Sequence, residues 1–393
     1  MINPKALALG AKRNVIMELA EYGRKRAAIV GKENVYDFSI GNPSVPAPAA
    51  VNAAIAEILQ DTDSLAIHSY TSMTGDVRAR QAIAQDLNTR FGLEADKDEI
   101  FLGCGAAPEL VAVIKAMACP GAEFLSIAPY FPEYKPYVEE TGAKFRVVPA
   151  DIPNFQINLQ VMEEMINENT TAVIINNPNN PAGTVYSPET IQKLAELLTR
   201  KNQQYGHTIY IIADEPYREL VYDGVVTPFV PNIYPHTVVC YSYSKSLSLP
   251  GERLGYVYVP KQAADSRDLY SAIVGAARVS GHVCAPSLMQ QMIIRCAHLL
   301  PDLSTYDRNR RTLVEALTEY GYEMAKPEGA FYLFVKAPGG DDQVFYKKAM
   351  EHDLLFVPGT DFGCPGYFRL CYCVSYDTIV RSLPLFKKLI EEM

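Results

Sequence analysis

No stretch of the 393-residue chain holds 18 consecutive apolar residues, so no membrane-spanning helix is expected. The opening segment, MINPKALALGAKRN, lacks the apolar core and cleavage site of a secretory leader, which points to a cytoplasmic protein. Positive charge is in short supply. Lys and Arg number 36 against 45 Asp and Glu, a net charge of −9, which argues against a nucleic-acid-binding face while leaving room for a local basic site. Paired cysteine spacing is also scarce. Of Cys104, Cys119, Cys240, Cys284, Cys296, Cys364, Cys371 and Cys373, only the last two are close, and no second pair completes a zinc set. Scattered through apolar runs, they read as buried free thiols in a reducing compartment. Cys371 and Cys373, two apart on a strand, share a face. No internal repeat and no low-complexity linker interrupts the chain.

What is present is a chain too long for one ordinary core, with 48 % hydrophobic residues to fill two. From about residue 76 strand-like and helix-like stretches alternate. Asp76 is a candidate N-cap ahead of Ile83, Leu87 and Phe91 at helical spacing. EIFLGCG, EFLSIAP, TAVIINNP, TIYIIAD, TVVCYSY and LGYVYVP read as strands. Helices separate several of them, among them SPETIQKLAELLTRKNQQYG with Ser187 as cap and Pro188 at its first position. Near-continuous apolar strands between helices predict an α/β fold with a mostly parallel sheet covered on both faces. Helical patterns fill roughly 262–320. AFYLFVK, LLFVPG, YFRLCYCVS and a last helix then predict a smaller α+β domain, against which an N-terminal helix near 14–30 packs. The expected division is an N-terminal arm with part of the small domain over 1–47, a large domain over 48–288 and the small domain over 289–393.

In an open α/β sheet, ligands bind beyond the carboxyl ends of the strands. The unusual polar residues collect there: GCGAAPE (103–109), NNPNNPAG (176–183), DEPYREL (214–220) and SYSKSLSLPGERLGY, which carries Lys245 and Arg253. Each has a plainer reading. GCGAAPE is a strand-to-helix turn able to hold a phosphate, and Pro108 spoils its likeness to a dinucleotide fingerprint. The Asn/Pro/Gly run is ordinary turn chemistry. Asp214 serves as a helix cap, and Lys245 and Arg253 as surface charges. The set is harder to dismiss, because an acid, an asparagine, a lysine and an arginine at successive strand ends would converge on one rim.

In order and spacing these motifs resemble the class I/II aminotransferases, fold-type I enzymes of the aspartate aminotransferase kind. The likeness runs from FSIGNPSVPAP (38–48) to YFRLCYC (367–373). It implies the fold-type I transferase architecture and pyridoxal 5′-phosphate as cofactor. Lys245 matches the family's Schiff-base lysine and proton-moving base. Asp214 matches the acid on the pyridinium nitrogen, Asn180 and Tyr217 the partners of the ring 3′-oxygen, and Phe131 the stacking aromatic, with Tyr130 as competitor. Gly105, Ala106 and Ala107 match the phosphate loop, and Ser242 and Arg253 further phosphate ligands. Tyr70 matches a tyrosine that reaches the neighbouring subunit's phosphate, which implies a homodimer with shared sites. Arg369 matches the arginine that grips the substrate α-carboxylate, with Gly41 and Asn42 closing over it.

The implied reaction moves an amino group between an L-amino acid and a 2-oxo acid by a ping-pong route. Aspartate is the first guess for the donor and 2-oxoglutarate for the acceptor, which places the enzyme in amino-acid metabolism. The departures are Ala182, where the family often has Thr, and Cys371, where a small polar residue is usual. The 280–286 stretch, SGHVCAP, lacks a clear second carboxylate-binding arginine; Arg278 is a candidate better read as solvent-facing. Aromatic or alanine-type transamination and carbon–sulfur lysis on the same residues are the alternatives. A non-catalytic regulatory domain would need a DNA-binding segment ahead of FSIGNP. A dehydrogenase reading would leave the lysine segment unexplained.

Overall fold

The computed structural model describes residues 2–11 and 15–393. The expected start of the N-terminal helix at residue 14 lies outside the described residues; helix Val15–Val30 follows. Twelve strands occur among the described residues: β1 (Tyr36–Asp37), β2 (Ile100–Gly103), β3 (Glu123–Ile127), β4 (Lys144–Val148), β5 (Thr170–Asn176), β6 (Tyr210–Asp214), β7 (Thr237–Ser242), β8 (Gly255–Tyr258), β9 (Tyr332–Lys336), β10 (Leu354–Leu355), β11 (Val357–Pro358) and β12 (Tyr367–Cys371).

Seven form the large sheet in the order β2-β8-β7-β6-β5-β3-β4. All neighbours are parallel except β8, which runs against β2 and β7. The side chains of β5 show why the strand reads as continuously apolar. Val173 and Ile175 enter one core with Ile83, Leu87, Leu194 and Met292, while Ala172 and Ile174 enter the opposite core with Leu110, Val113 and Ile273. A strand covered by helices on both faces has no polar side to alternate with. Helix ends follow the expected caps. Ser187 Oγ accepts from the Thr190 N–H at 3.1 Å ahead of helix Pro188–Tyr205, and Asp76 Oδ1 accepts from Arg78 N–H at 2.8 Å ahead of helix Val77–Phe91.

The smaller unit carries the antiparallel sheet β11-β12-β9 and an aromatic core that includes Tyr322, Phe345, Phe356, Phe368 and Phe386. The N-terminal segment joins it. β1 pairs in parallel with β10, and Arg26 holds Asp353 through two bonds of 2.7 and 2.8 Å. The expected division after residue 288 runs through helix Ser287–Cys296, whose Met289, Met292, Ile293 and Cys296 belong to the large core. We therefore propose a division nearer residue 300. Among the described residues no helix is long and apolar enough to cross a membrane.

Candidate active site

β7, β6 and β5 lie side by side and parallel, so their carboxyl ends form one rim. Asp214 ends β6 and is paired across the ladder with Asn176, the last residue of β5. Asp214 Oδ2 accepts from the Tyr134 hydroxyl at 2.5 Å and from Asn176 Nδ2 at 3.3 Å, and its Oδ1 is buried without a partner. Burial drives its pKa up to about 7, the Tyr134 bond opposes that, and the neighbouring Glu215 charge adds to it. A buried acid with one bare oxygen is costly unless something with a proton fills the space in front of it.

Asn176 also organises the turn that follows. Its Nδ2 donates to the Asp214 carbonyl at 2.8 Å, and its Oδ1 accepts from the Asn180 N–H at 2.6 Å. Asn180 is thereby fixed, and its Oδ1 accepts from Arg369 Nη1 at 2.9 Å. Arg369 projects from β12, and its other Nη donates to the Ser39 carbonyl. The guanidinium lies 4.7 Å from the Tyr332 ring centre and 5.0 Å from that of Phe362. It is 2 % exposed, and its Nε has no partner. Only neutral groups are seen to hold this buried cation.

β7 ends at Ser242, whose Oγ accepts from the Ser244 N–H at 3.2 Å and caps the short helix Tyr243–Ser246. That turn aims Lys245 inward, where its Nζ donates to the Gly41 carbonyl at 2.6 Å. Burial lowers the lysine pKa, nearby Cys373 and Cys371 raise it, and Arg369 and Arg253 lower it further. Gly41 is held against the Tyr332 hydroxyl so closely that a Cβ there would collide with it. The same hydroxyl is 2.8 Å from that of Tyr217. Asn42, next to Gly41, is exposed.

Beyond β2, Gly105 has φ 97° and opens helix Ala106–Met117. The Arg253 guanidinium lies where a Cβ on Gly105 would sit, 2.8 Å from that point, so only glycine lets the arginine approach the loop. Arg253 itself has φ 51° and braces Nη1 on the Pro250 carbonyl at 2.8 Å. The first N–H groups of a helix, here of Ala106 and Ala107, have no intrahelical partner. A glycine cradle, two such amides, a serine hydroxyl and an arginine fork make an anion site.

The two candidate stacking rings part company. Phe131 lies edge-on to Tyr134 with centroids 5.6 Å apart, and Tyr134 bonds Asp214. Tyr130 turns toward Phe145, at 5.2 Å, and against Gly363. Tyr70 is not drawn in at all: it is 96 % exposed. Arg278 is exposed near the end of helix Ser266–Val279.

Three site residues escaped the sequence reading. Asn176 is visible as the first asparagine of NNPNN. Tyr134 stands three residues after Phe131. Tyr332 carries no local signal, since it looks like any core tyrosine of β9.

These residues fit pyridoxal 5′-phosphate. The bare oxygen of Asp214 suits a protonated ring nitrogen, the Gly105–Arg253 cradle suits a phosphate, and the half-buried Lys245 has both Arg253 and Arg369 among its charged neighbours.

Known proteins match this chain along almost its whole length. The model of the family "Aminotransferase class I and II" matches residues 33–382. The aspartate aminotransferase of Thermotoga maritima is 28 % identical over 376 residues, which cover 94 % of this chain and 95 % of the relative. A probable aspartate/prephenate aminotransferase of Aquifex aeolicus is 30 % identical over 378 residues, 92 % of each. The crystal structure of an amino transferase from Eubacterium rectale superposes with a TM-score of 0.98 at 53 % identity, covering 100 % of this chain and 99 % of that one.

Proposed function

The chain belongs to the aminotransferase class I and II family and is a pyridoxal 5′-phosphate-dependent aminotransferase, and from that premise we propose that it moves the amino group of an L-amino acid, with aspartate as donor and 2-oxoglutarate as acceptor, through two half-reactions at one site. The observation that carries the substrate class is Arg369, a buried cation held only by two neutral oxygens and two rings. Such a group is satisfied by an anion that binds both arms of its fork, and an α-carboxylate does so. The names of the Thermotoga and Aquifex relatives support aspartate as donor.

When bound, the cofactor supplies an electron sink for charge developed at the substrate Cα. The residues of this chain do the rest. Asp214 would keep a proton on the ring nitrogen, and Asn180 and Tyr217 would hold the ring oxygen. Gly105, Ala106, Ala107, Ser242 and Arg253 would take the phosphate. Phe131 would cover the ring, because it leans on the tyrosine that bonds Asp214 whereas Tyr130 turns away. Lys245 Nζ, with its pKa lowered by burial, would take the proton from the substrate Cα and return it. Gly41 and Asn42 would close over the carboxylate.

A second copy of the chain completes this reading. Helix Pro4–Ala11 has no buried residue, and Leu7, Leu9, Met17, Leu65 and Tyr70 stand exposed. An apolar arm and an idle tyrosine suit an isologous interface in which Tyr70 reaches the partner's phosphate. Mixing Tyr70→Phe chains with Lys245→Ala chains should regenerate activity in the heterodimer.

The central test is chemical. Borohydride reduction followed by peptide mapping should find the cofactor on Lys245, and Lys245→Ala should lose transamination by several orders of magnitude. An adduct on any other lysine overturns the assignment. Single half-reactions with aspartate, glutamate, alanine, tyrosine and phenylalanine then rank donors. Aspartate reacting no faster than alanine removes aspartate from the proposal. The rings of Tyr332 and Phe362 beside Arg369 favour tyrosine or phenylalanine as the second reading.

A further inference from the structure

Cys371 and Cys373 were expected to share a face of a strand, and they do more than that. Cys371 ends β12 and Cys373 follows two residues later, and both, with Tyr372 between them, belong to the aromatic core. The two Sγ atoms are 2.9 Å apart, and both side chains are buried. The backbone on either side is anchored: the Cys371 N–H donates to the Phe38 carbonyl at 2.9 Å and the Tyr372 N–H to the Phe331 carbonyl at 3.0 Å. Cys373 Sγ also points at the Ile40 carbonyl, 3.8 Å away, one residue before Gly41. A sulfur–sulfur bond needs about 2.05 Å, so the pair closes by less than an ångström.

We propose that Cys371 and Cys373 are a modification site, a dithiol that a peroxide converts to an internal disulfide, and that this bond acts on the neighbouring Arg369 and Lys245 as a reversible brake on the enzyme. The action on those two residues rests on the reading of the site given above; the thiol chemistry does not.

The surroundings divide the two thiols by role. Burial alone pushes the Cys371 thiol up. The bond to Cys373, the Arg369 charge, the Cys373 N–H and Lys245 outweigh it and bring Cys371 below the usual thiol value. Cys373 is pushed well above that value by burial and by its bond to Cys371. Cys371 is therefore the better attacking sulfur and Cys373 the resolving thiol. In the first step a Cys371 S–O bond forms and the peroxide O–O bond breaks, with hydroxide leaving. In the second, Cys373 gives up its proton and attacks the Cys371 sulfur. The S–S bond forms, the S–O bond breaks, and a second hydroxide leaves. Counted from two thiols, one dithiol and one peroxide give one disulfide and two waters.

The consequence for the site follows from position. Oxidation joins two sulfurs that have Lys245 and Arg369 among their neighbours. It also draws in the strand end two residues past Arg369, whose fork must meet a carboxylate bidentately. Misplacing such a contact is expensive in rate.

The experiment treats the holoenzyme with a small excess of hydrogen peroxide, blocks free thiols under denaturing conditions and digests with trypsin. Cleavage after Arg369 and Arg381 puts both cysteines, and no other, on the peptide Leu370–Arg381. That peptide should appear unalkylated and lighter by two hydrogens. kcat/KM should fall by about tenfold or more and return with dithiothreitol. Cys371→Ser and Cys373→Ser are near-isosteric and should fold. Each should keep activity through peroxide treatment and show no lighter peptide. Two alkylated cysteines in the treated wild type overturn the proposal. So does a disulfide that leaves kcat/KM unchanged, and so does equal inactivation of the Ser variants, which places the damage elsewhere. An enzyme inert toward amino acids before any peroxide is added, but with the lighter peptide formed after it, would instead count against the assignment of the site.

Discussion

Two buried arginines, Arg218 beneath the rim and Arg369 at its mouth, sit in contrasting pockets. Arg218 follows β6 and is closed off. Its Nε meets Glu215 Oε2 at 2.5 Å, its Nη1 meets the Tyr256 hydroxyl at 3.0 Å, and the rings of Phe91, Phe229 and Tyr241 surround it. Arg369 has rings around it too, but neutral oxygens stand where Arg218 has a carboxylate. Burial alone therefore does not separate a structural arginine from a binding one. The difference is whether the chain itself supplies the counter-charge. A cation left without one inside a protein is an unfinished interaction, and the substrate carboxylate completes it.

That distinction is open to attack from the Arg218 side first, where the largest effect is expected. Arg218→Met keeps the bulk but strands Glu215 as a buried, uncompensated carboxylate, and Glu215 Oε1 already lacks a partner. Stability should fall by about 3–5 kcal/mol, read by urea denaturation at fixed cofactor concentration. Adding Glu215→Gln should recover part of the loss. A loss below about 1 kcal/mol would erase the contrast, because Arg218 would then be as dispensable to the fold as Arg369 is expected to be.

The second test moves to the other unfinished group, Asp214. Its pKa in the folded chain is about 7, above the ordinary 3.8, so the folded apoprotein holds a proton that the unfolded chain has already released. The sign follows: the contribution is fully present below the ordinary carboxylate value and is lost as pH rises through about 7. It amounts to at most roughly 4 kcal/mol. Between pH 5 and 8 apo wild type should lose more stability than apo Asp214→Asn, whose amide cannot ionise. Glu109 and Glu215 remain in both proteins, so the difference reports Asp214 together with its charge acting on Glu109. Equal losses would mean that Asp214 meets the rim already ionised and satisfied.

How legible these two regions were in the sequence depends on the range of the interactions. Lys245, Asp214 and Asn180 stand at strand ends that the apolar runs TVVCYSY, TIYIIAD and TAVIINNP announce, and the caps at Ser187 and Asp76 are local signals too. β4 was not foreseen. It is an edge strand, and its Lys144 and Arg146 reach Glu123 at 3.0 Å each, so its sequence KFRVV does not look apolar. Tyr134 was missed because its partner Asp214 is 80 residues away. Tyr332 was missed because nothing near it in the chain shows that Tyr217 and Arg369 converge on it. The resemblance to a family supplied Arg369; composition and spacing did not. Whether the division falls after residue 288 or, as proposed, nearer 300 turns on helical patterns that look alike until their buried faces are assigned to a core.

At the mouth of the site the expected effects are smaller and fall on binding rather than folding. Arg369→Leu removes a cation whose own chain never neutralised it. Stability should hold or rise slightly, since an apolar side chain among Tyr332 and Phe362 needs no counter-charge. Use of the amino acid should weaken by about 1.5–3 kcal/mol, roughly 10- to 150-fold in kcat/KM. Unfolding of this variant under conditions where wild type is stable would show that Arg369 belongs with Arg218 after all.

Arg369→Lys is the finest probe of the contrast. It keeps the positive charge and gives up the planar fork. In the wild type one arm meets Asn180 and the other Ser39, which orients the plane toward the cleft. An ammonium can satisfy one oxygen of a carboxylate well and the second poorly, and its compact charge is costlier to bury than a guanidinium. The expected loss in kcat/KM is on the order of 1 kcal/mol, smaller than for leucine. It should fall mostly on KM, because the carboxylate is held equally through the reaction. Stability gives the opposite sign to the leucine variant: lysine keeps an unneutralised charge in the pocket and should lower the denaturation midpoint of the substrate-free enzyme. A saturating dicarboxylate or monocarboxylate ligand should restore the midpoint in the lysine variant and leave the leucine variant unmoved. If the ligand moves neither variant, the anion is held away from Arg369, whose fork would need a different occupant.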